Sequence, residues 1–201
     1  RNCVVTVAQT GDFVSAVQLQ GDGDDGCGGG HNLTNNIIRT DGDTGVLVPA
    51  GCALDMRYNT IIAENRAIYF EAPGNESNLH IKANILGSSG SGDTALLVEH
   101  SGEGYFWDNL IFGYGGVFSN VGNITMDMGD NDSHDATIAG DVFMSGLDTD
   151  LSDGDVTDYH LNDPSQLYAV DQCSYGPSFD FEGDERPQGA DYDRGADEKV
   201  P

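Results

Sequence analysis

The stretch HNLTNNIIRTDGDTGVLVPAG, His31 to Gly51, decides how this chain is read. An Asn pair runs into the β-branched Ile37 and Ile38, a Gly/Asp turn follows, and Val46-Leu47-Val48 makes a second short apolar run. The same phrase returns along the chain. The apolar pairs Phe13-Val14, Ile37-Ile38, Ile61-Ile62, Ile85-Leu86 and Leu110-Ile111 each follow a small polar residue, namely Asp12, Asn36, Thr60, Asn84 and Asn109. Their first members are spaced by 24, 24, 24 and 25 residues. A second apolar run follows each pair (Ala16-Val17, Val46-Leu47-Val48, Ile68-Tyr69-Phe70, Leu96-Leu97-Val98, Val117-Phe118), and a third precedes the later ones (Leu54 to Tyr58, Leu79 to Lys82, Tyr105 to Trp107). Gly, Ser, Asn and Asp fill the gaps, which is turn chemistry.

Three short strands and their turns, repeated at a fixed period, make one coil of a parallel β-helix. A single coil cannot bury its inner face alone, so coils stack and pair edge to edge. The expected fold is all-β: a right-handed parallel β-helix of about five to seven coils, 24–25 residues each, over residues 1–146, with an irregular acidic capping tail over 147–201. Glu71–Asn78 and Gly87–Thr94 read as outward loops. After Phe118, Asn123 to Met128 and Ala136 to Met144 read as one or two last coils around an acidic insert, Gly129–Asp135.

The period explains the asparagines. A sharp bend needs a residue that tolerates the left-handed region, and Asn is one of the few besides Gly that does. Its amide can also hydrogen-bond the next coil. Asn36, Asn84 and Asn109 are therefore expected to form a broken ladder down one inner corner, with Thr60 and Asp12 as substitutes. The cysteines follow the same step, since Cys3, Cys27 and Cys52 lie 24 and 25 residues apart. Neighbouring coils are about 4.8 Å apart, inside the roughly 4.4–6.8 Å Cα window of a disulfide. Cys27 can then bridge to Cys3 or to Cys52. The first pairing is favoured because it staples the first coil, and Cys173 stays outside the scheme.

Composition limits the partners. The 201 residues carry 8 basic and 34 acidic side chains, a formal net charge of -26, and no Lys or Arg occurs between Lys82 and Arg186. Nucleic acid is excluded, because phosphate binding relies on cationic side chains. No stretch approaches the roughly 20 apolar residues of a membrane span. Glycine, at 28 residues, is about twice its usual share, which suits short strands and tight turns. Four cysteines without a CxxC pair fit an oxidising, secreted setting. The chain opens at Arg1 with neither an initiator Met nor a signal peptide, which reads as a mature or trimmed product.

Carboxylates alternate with Gly in several loops. Asp148, Asp150, Asp153 and Asp155 are the best candidate ligand set for Ca²⁺, with Asp22, Asp24 and Asp25 second, because Ca²⁺ takes six to eight oxygens from a loop able to curl around it. No EF-hand is complete, since the bidentate Glu is missing. An enzyme would need converging charged groups. Only Arg39, Arg57, Arg66 and Lys82 are basic within the coils, and a strict 24-residue step sends Arg57 and Lys82 to opposite faces. The carboxylates Asp55, Glu64, Glu99 and Asp108 form no evident pair of the kind a glycosidase uses. Tyr105, Phe106 and Trp107 could make a sugar-stacking platform.

The tail carries a resemblance. Its marks are Asp158-Tyr159-His160-Leu161, Pro164, Ser165, Ala169 and Asp171, then Asp180, Gly183, Arg186-Pro187, Gly189, Tyr192-Asp193 and Gly195-Ala196-Asp197-Glu198. This pattern resembles the C-terminal segment of bacterial secreted right-handed parallel β-helix proteins of the choice-of-anchor Q type, although Arg194 stands where an apolar residue is common. The resemblance implies an exported, extracellular or cell-surface protein whose tail caps the open end of the helix. Exposed terminal strands need such cover. The expected role is a structural or adhesive surface protein that grips surface polysaccharide or stacks head to tail with copies of itself into a filament. The alternative is a polysaccharide-acting lyase or hydrolase, or a carbohydrate-binding module, on the same fold.

Overall fold

The computed structural model describes residues 3–7, 15–19, 30–49, 52–71, 77–99, 101–121, 123–134, 142–143, 159–161 and 168–199. Its strands come in threes. β1 (Cys3–Val7), β2 (Ser15–Gln18) and β3 (Gly30–Thr34) are followed by β4 (Asn36–Thr40), β5 (Thr44–Val48) and β6 (Ala53–Arg57), then by β7 (Thr60–Ile62), β8 (Arg66–Phe70) and β9 (Ser77–Lys82). Next come β10 (Ile85–Gly92), β11 (Leu96–Val98) and β12 (Ser101–Trp107), then β13 (Leu110–Tyr114), β14 (Phe118–Asn120) and β15 (Asn123–Met128), and finally β16 (Asp132–His134). They form three sheets, β1-β4-β7-β10-β13-β16, β2-β5-β8-β11-β14 and β3-β6-β9-β12-β15. The ladders are parallel throughout, so the chain is a parallel β-helix, with β16 opening a further pass through the first sheet. Among the described residues, no helix is long and apolar enough to cross a membrane.

The interior is a set of stacked aliphatic columns. Ile38, Ile61, Leu86 and Ile111 stack from the first sheet. Val46, Ile68 and Leu96 stack from the second, and Met56, Ile81 and Phe106 from the third. These side chains form one buried cluster. Each fully buried aliphatic contributes about 1.5–3 kcal/mol.

Coil length is not constant, and that changes the expected columns. Asn36 lies 23 residues before its partner Asn59, the next two steps are 25, and the last is 22. Ile37, Ile85 and Leu110 do share a column, but Thr60 holds the place between them, and Ile61 falls in the neighbouring, inward-facing column. Phe13 and Asp12 lie outside the described residues.

The corner is correspondingly better ordered than expected. Asn36, Asn59, Asn84, Asn109 and Asn131 form an unbroken amide ladder, each Nδ2 donating to the next Oδ1 at 2.9–3.0 Å. Thr60 is not a substitute rung, because Asn59 beside it is the true one. Nor do the rungs take the left-handed conformation. That falls one residue earlier, at Asn35, Tyr58, Ala83 and Asp108, with φ between 55° and 58°. Gly87–Thr94 is not a loop, since β10 runs on to Gly92 across a register shift. The acidic insert Gly129–Asp135 holds the last ladder rung, Asn131, and β16.

The cysteines do not share one column. Cys3 lies in the first sheet opposite Asn36, whereas Cys52 directly precedes β6 of the third. Cys52 is buried, and Cys173 is a buried free thiol. Cys27 lies outside the described residues, so the pairing favoured for it falls there too.

The tail runs along the flank of the helix. The outward residues of the first sheet, Ile37, Ile62, Ile85, Leu110 and Phe112, join Tyr159, Leu161, Ala169, Val170 and Ala196 of the tail in a second buried cluster. Val142 and Phe143, expected within a last coil, belong to this cover instead, and Phe143 bridges Leu161 antiparallel. Gly87 permits part of this, since a Cβ there would stand 2.3 Å from the Phe112 ring. Backbone bonds seat the tail across several coils: Gly195 N–H donates to Ala83 O, and Ala196 N–H to Thr60 Oγ1. At one extreme Asn35 bonds Phe179 O, and at the other Arg194 pairs with Asp132. The unexpected arginine at 194 is thus a tether to β16. Behind the tail's surface, Arg186 and Glu198, both with fully buried side chains, bond at 2.7 Å. Arg186 also donates to Asp193 O and Asp197 O and stacks over Tyr58.

Candidate functional site

On the outer face of the third sheet several aromatic and cationic groups converge. Side chains alternate along β12, so Phe106 points into the core while Tyr105 and Trp107 point out. Parallel stacking then builds two outward columns: Asp55, His80, Tyr105 and Asp127 in one, Arg57, Lys82 and Trp107 in the other. Arg57 and Lys82 are direct partners on the same face. The expectation that they diverge fails because the step from β6 to β9 is 25 residues, not 24. The expected platform loses Phe106 and keeps Tyr105 and Trp107.

Tyr175 of the tail closes one side, giving a shallow cleft of about 180 Å³ between Arg57, His80, Lys82, Tyr105, Trp107 and Tyr175. Tyr105 meets His80 and Trp107 edge-on, at centroid distances of 5.1 and 5.6 Å. Tyr105 and Tyr175 are nearly half exposed, at 44% and 48%. Gly129 lies against the Trp107 ring, where a Cβ would come within 2.5 Å, so the next coil backs the indole closely.

Each cation is paired, which leaves donors and acceptors side by side. Arg57 grips Asp55 through two bonds of 2.6 and 2.8 Å. Lys82 lies 3.1 Å from Asp108, donates to the Tyr175 hydroxyl, and stands 4.1 Å from that ring's centroid and 5.7 Å from that of Trp107. Burial alone would lower the Lys82 pKa, but the hydrogen bonds to Tyr175 and Asp108 and the Asp108 charge outweigh it and hold it above the ordinary lysine value. Lys82 therefore stays cationic at neutral pH.

The other sequence candidates are elsewhere. Arg39 is buried under the tail near Tyr159, and Arg66 is paired with Asp43 at the second sheet. The Ca²⁺ candidates Asp22, Asp24, Asp25, Asp148, Asp150, Asp153 and Asp155 lie outside the described residues. Tyr175 was not foreseeable, because no local pattern ties a tail residue to the third sheet. No family model, no curated protein and no solved structure matches the chain.

Proposed function

We propose that this chain is an adhesive β-helix of the cell surface or extracellular space that binds polysaccharide on the outer face of its third sheet. The observation that carries the reading is the run of Arg57, Lys82 and Trp107 in one column beside Tyr105 and Tyr175. Aromatic faces take the C–H face of a sugar ring, while paired donors and acceptors satisfy its hydroxyls. Successive coils repeat at about 4.8 Å, close to the length of one sugar ring, so a glycan laid along the helix axis meets equivalent positions coil after coil.

Binding is favoured over cleavage because Asp55 and Asp108 are each engaged by a cation. The resemblance of the tail to exported choice-of-anchor Q proteins agrees with this setting. The test is affinity electrophoresis through gels holding neutral glucans, a polyuronate or no glycan, with an assay for released reducing ends. Retardation by at least one glycan without product release is expected, and Trp107→Ala should abolish it with little change in melting temperature. Equal migration in every gel would refute the proposal, as would full retention in the Trp107→Ala variant.

A further inference from the structure

On the tail, away from the aromatic cleft, three side chains of different chemistry converge. A ring nitrogen of His160, a Glu182 carboxylate oxygen and an Asp197 carboxylate oxygen all lie within 4.8 Å of one another. They face a cleft of about 220 Å³ that Leu161, Asp184 and Lys199 also line. We infer that this is a binding site for a single divalent ion of the zinc type, held by one imidazole nitrogen and two carboxylates.

Donor chemistry selects the ion. Ca²⁺ and Mg²⁺ take oxygen ligands, whereas an imidazole among carboxylates suits Zn²⁺ and its neighbours. The ligands come from three separate tail segments that backbone bonds hold together. Leu161 N–H donates to Asp197 Oδ2 at 2.7 Å, fixing that buried carboxylate next to His160. Phe181 N–H donates to Ala196 O at 3.0 Å, and Asp180 Oδ1 accepts the N–H groups of Glu182, Gly183 and Asp184. The loop bearing Glu182 is thereby fastened to the segment bearing Asp197.

The fit needs only small motion. His160 Nε2 and Glu182 Oε2 are 2.7 Å apart, as a hydrogen-bonded pair. Two ligands about 2.1 Å from a tetrahedral ion stand about 3.4 Å from each other. The pair must open slightly and close on the fixed Asp197 carboxylate, and the His160 and Glu182 side chains, each 44% exposed, have room to do so. Arg186 does not compete, because Glu198 and backbone carbonyls engage it. Three ligands leave a position open for water or a partner's donor.

Calorimetric titration of the full chain with Zn²⁺, and separately with Ca²⁺, at physiological salt tests the site. One Zn²⁺ per chain is expected, with a rise in melting temperature. His160→Ala should weaken Zn²⁺ at least tenfold while leaving any diffuse Ca²⁺ uptake unchanged. Melting without metal checks that the variant is folded. Should it unfold, the exposed Glu182→Gln replaces it with the same expected loss. Absence of saturable Zn²⁺ binding overturns the inference. So does equal affinity in parent and variant, which would reduce the uptake to counter-ion attraction by an acidic surface.

Discussion

At the residue scale the corner asparagine is the unit that repeats. Asn84 shows its full use: Oδ1 accepts from both the backbone N–H and the Nδ2 of Asn59. Its own Nδ2 donates to Met56 O, Lys82 O and Asn109 Oδ1. No other side chain of that size offers an acceptor and two donors in one plane. Asn84→Ala should strand several buried polar groups and destabilise the fold by about 3 kcal/mol, a fall in melting temperature of roughly 6–12 °C. Asn36→Ala should lose less, because Cys3 rather than an amide stands opposite it in the preceding coil. Equal losses in thermal melts would contradict a ladder read rung by rung. The preceding left-handed residue matters in another way. Tyr58 and Ala83 hold a conformation that disfavours a Cβ by about 1–2 kcal/mol, a strain that the stacked rungs overcome.

At the element scale the first sheet differs from the other two. Its strands β4 and β7 are buried at every residue, whereas β6 alternates buried and half-buried. A strand covered on both faces reads as a continuous apolar run, and one facing water alternates. The pairs Ile37-Ile38, Ile61-Ile62 and Leu110-Ile111 therefore announced a sheet needing cover on its outside, and the tail supplies it. Phe143 is the chief anchor. It is fully buried between Phe112 and Tyr159, with ring centroids 6.3 and 5.4 Å away. Phe143→Ala should cost about 3–5 kcal/mol and loosen the tail before the coils. Limited proteolysis should then cut first within the tail and leave a resistant β-helix. Simultaneous loss of both parts would show that the tail and coils unfold as one unit.

At the scale of the whole molecule, charge sets the pH response. Burial pushes the Asp193 carboxyl up to about 7, with two accepted backbone N–H bonds and the Arg186 charge opposing and the Glu198 charge adding. An unfolded Asp titrates near 3.9. The folded chain thus binds this proton more tightly, so its contribution to stability is complete below about pH 4 and fades as pH rises through about 7. Self-repulsion at a net charge of -26 acts in the same direction. Melting temperature should fall between pH 5.5 and 8, and Asp193→Asn should flatten that slope. An unchanged slope in the variant would rule out Asp193 as its source.

Sequence alone determined the coil, because a repeat of short apolar runs and turn residues leaves few ways to bury one face of each run. It also identified Asn36, Asn84 and Asn109 as positions of one corner, since these depend only on the period. It misplaced Ile61, missed Asn59 and separated Arg57 from Lys82, because turns of unequal length shift the register by one residue and local sequence does not count across coils. The seat of the tail, the union of Tyr175 with the third sheet and the meeting of His160, Glu182 and Asp197 belong to tertiary structure alone. Each joins segments whose nearness is decided by which apolar face the tail covers.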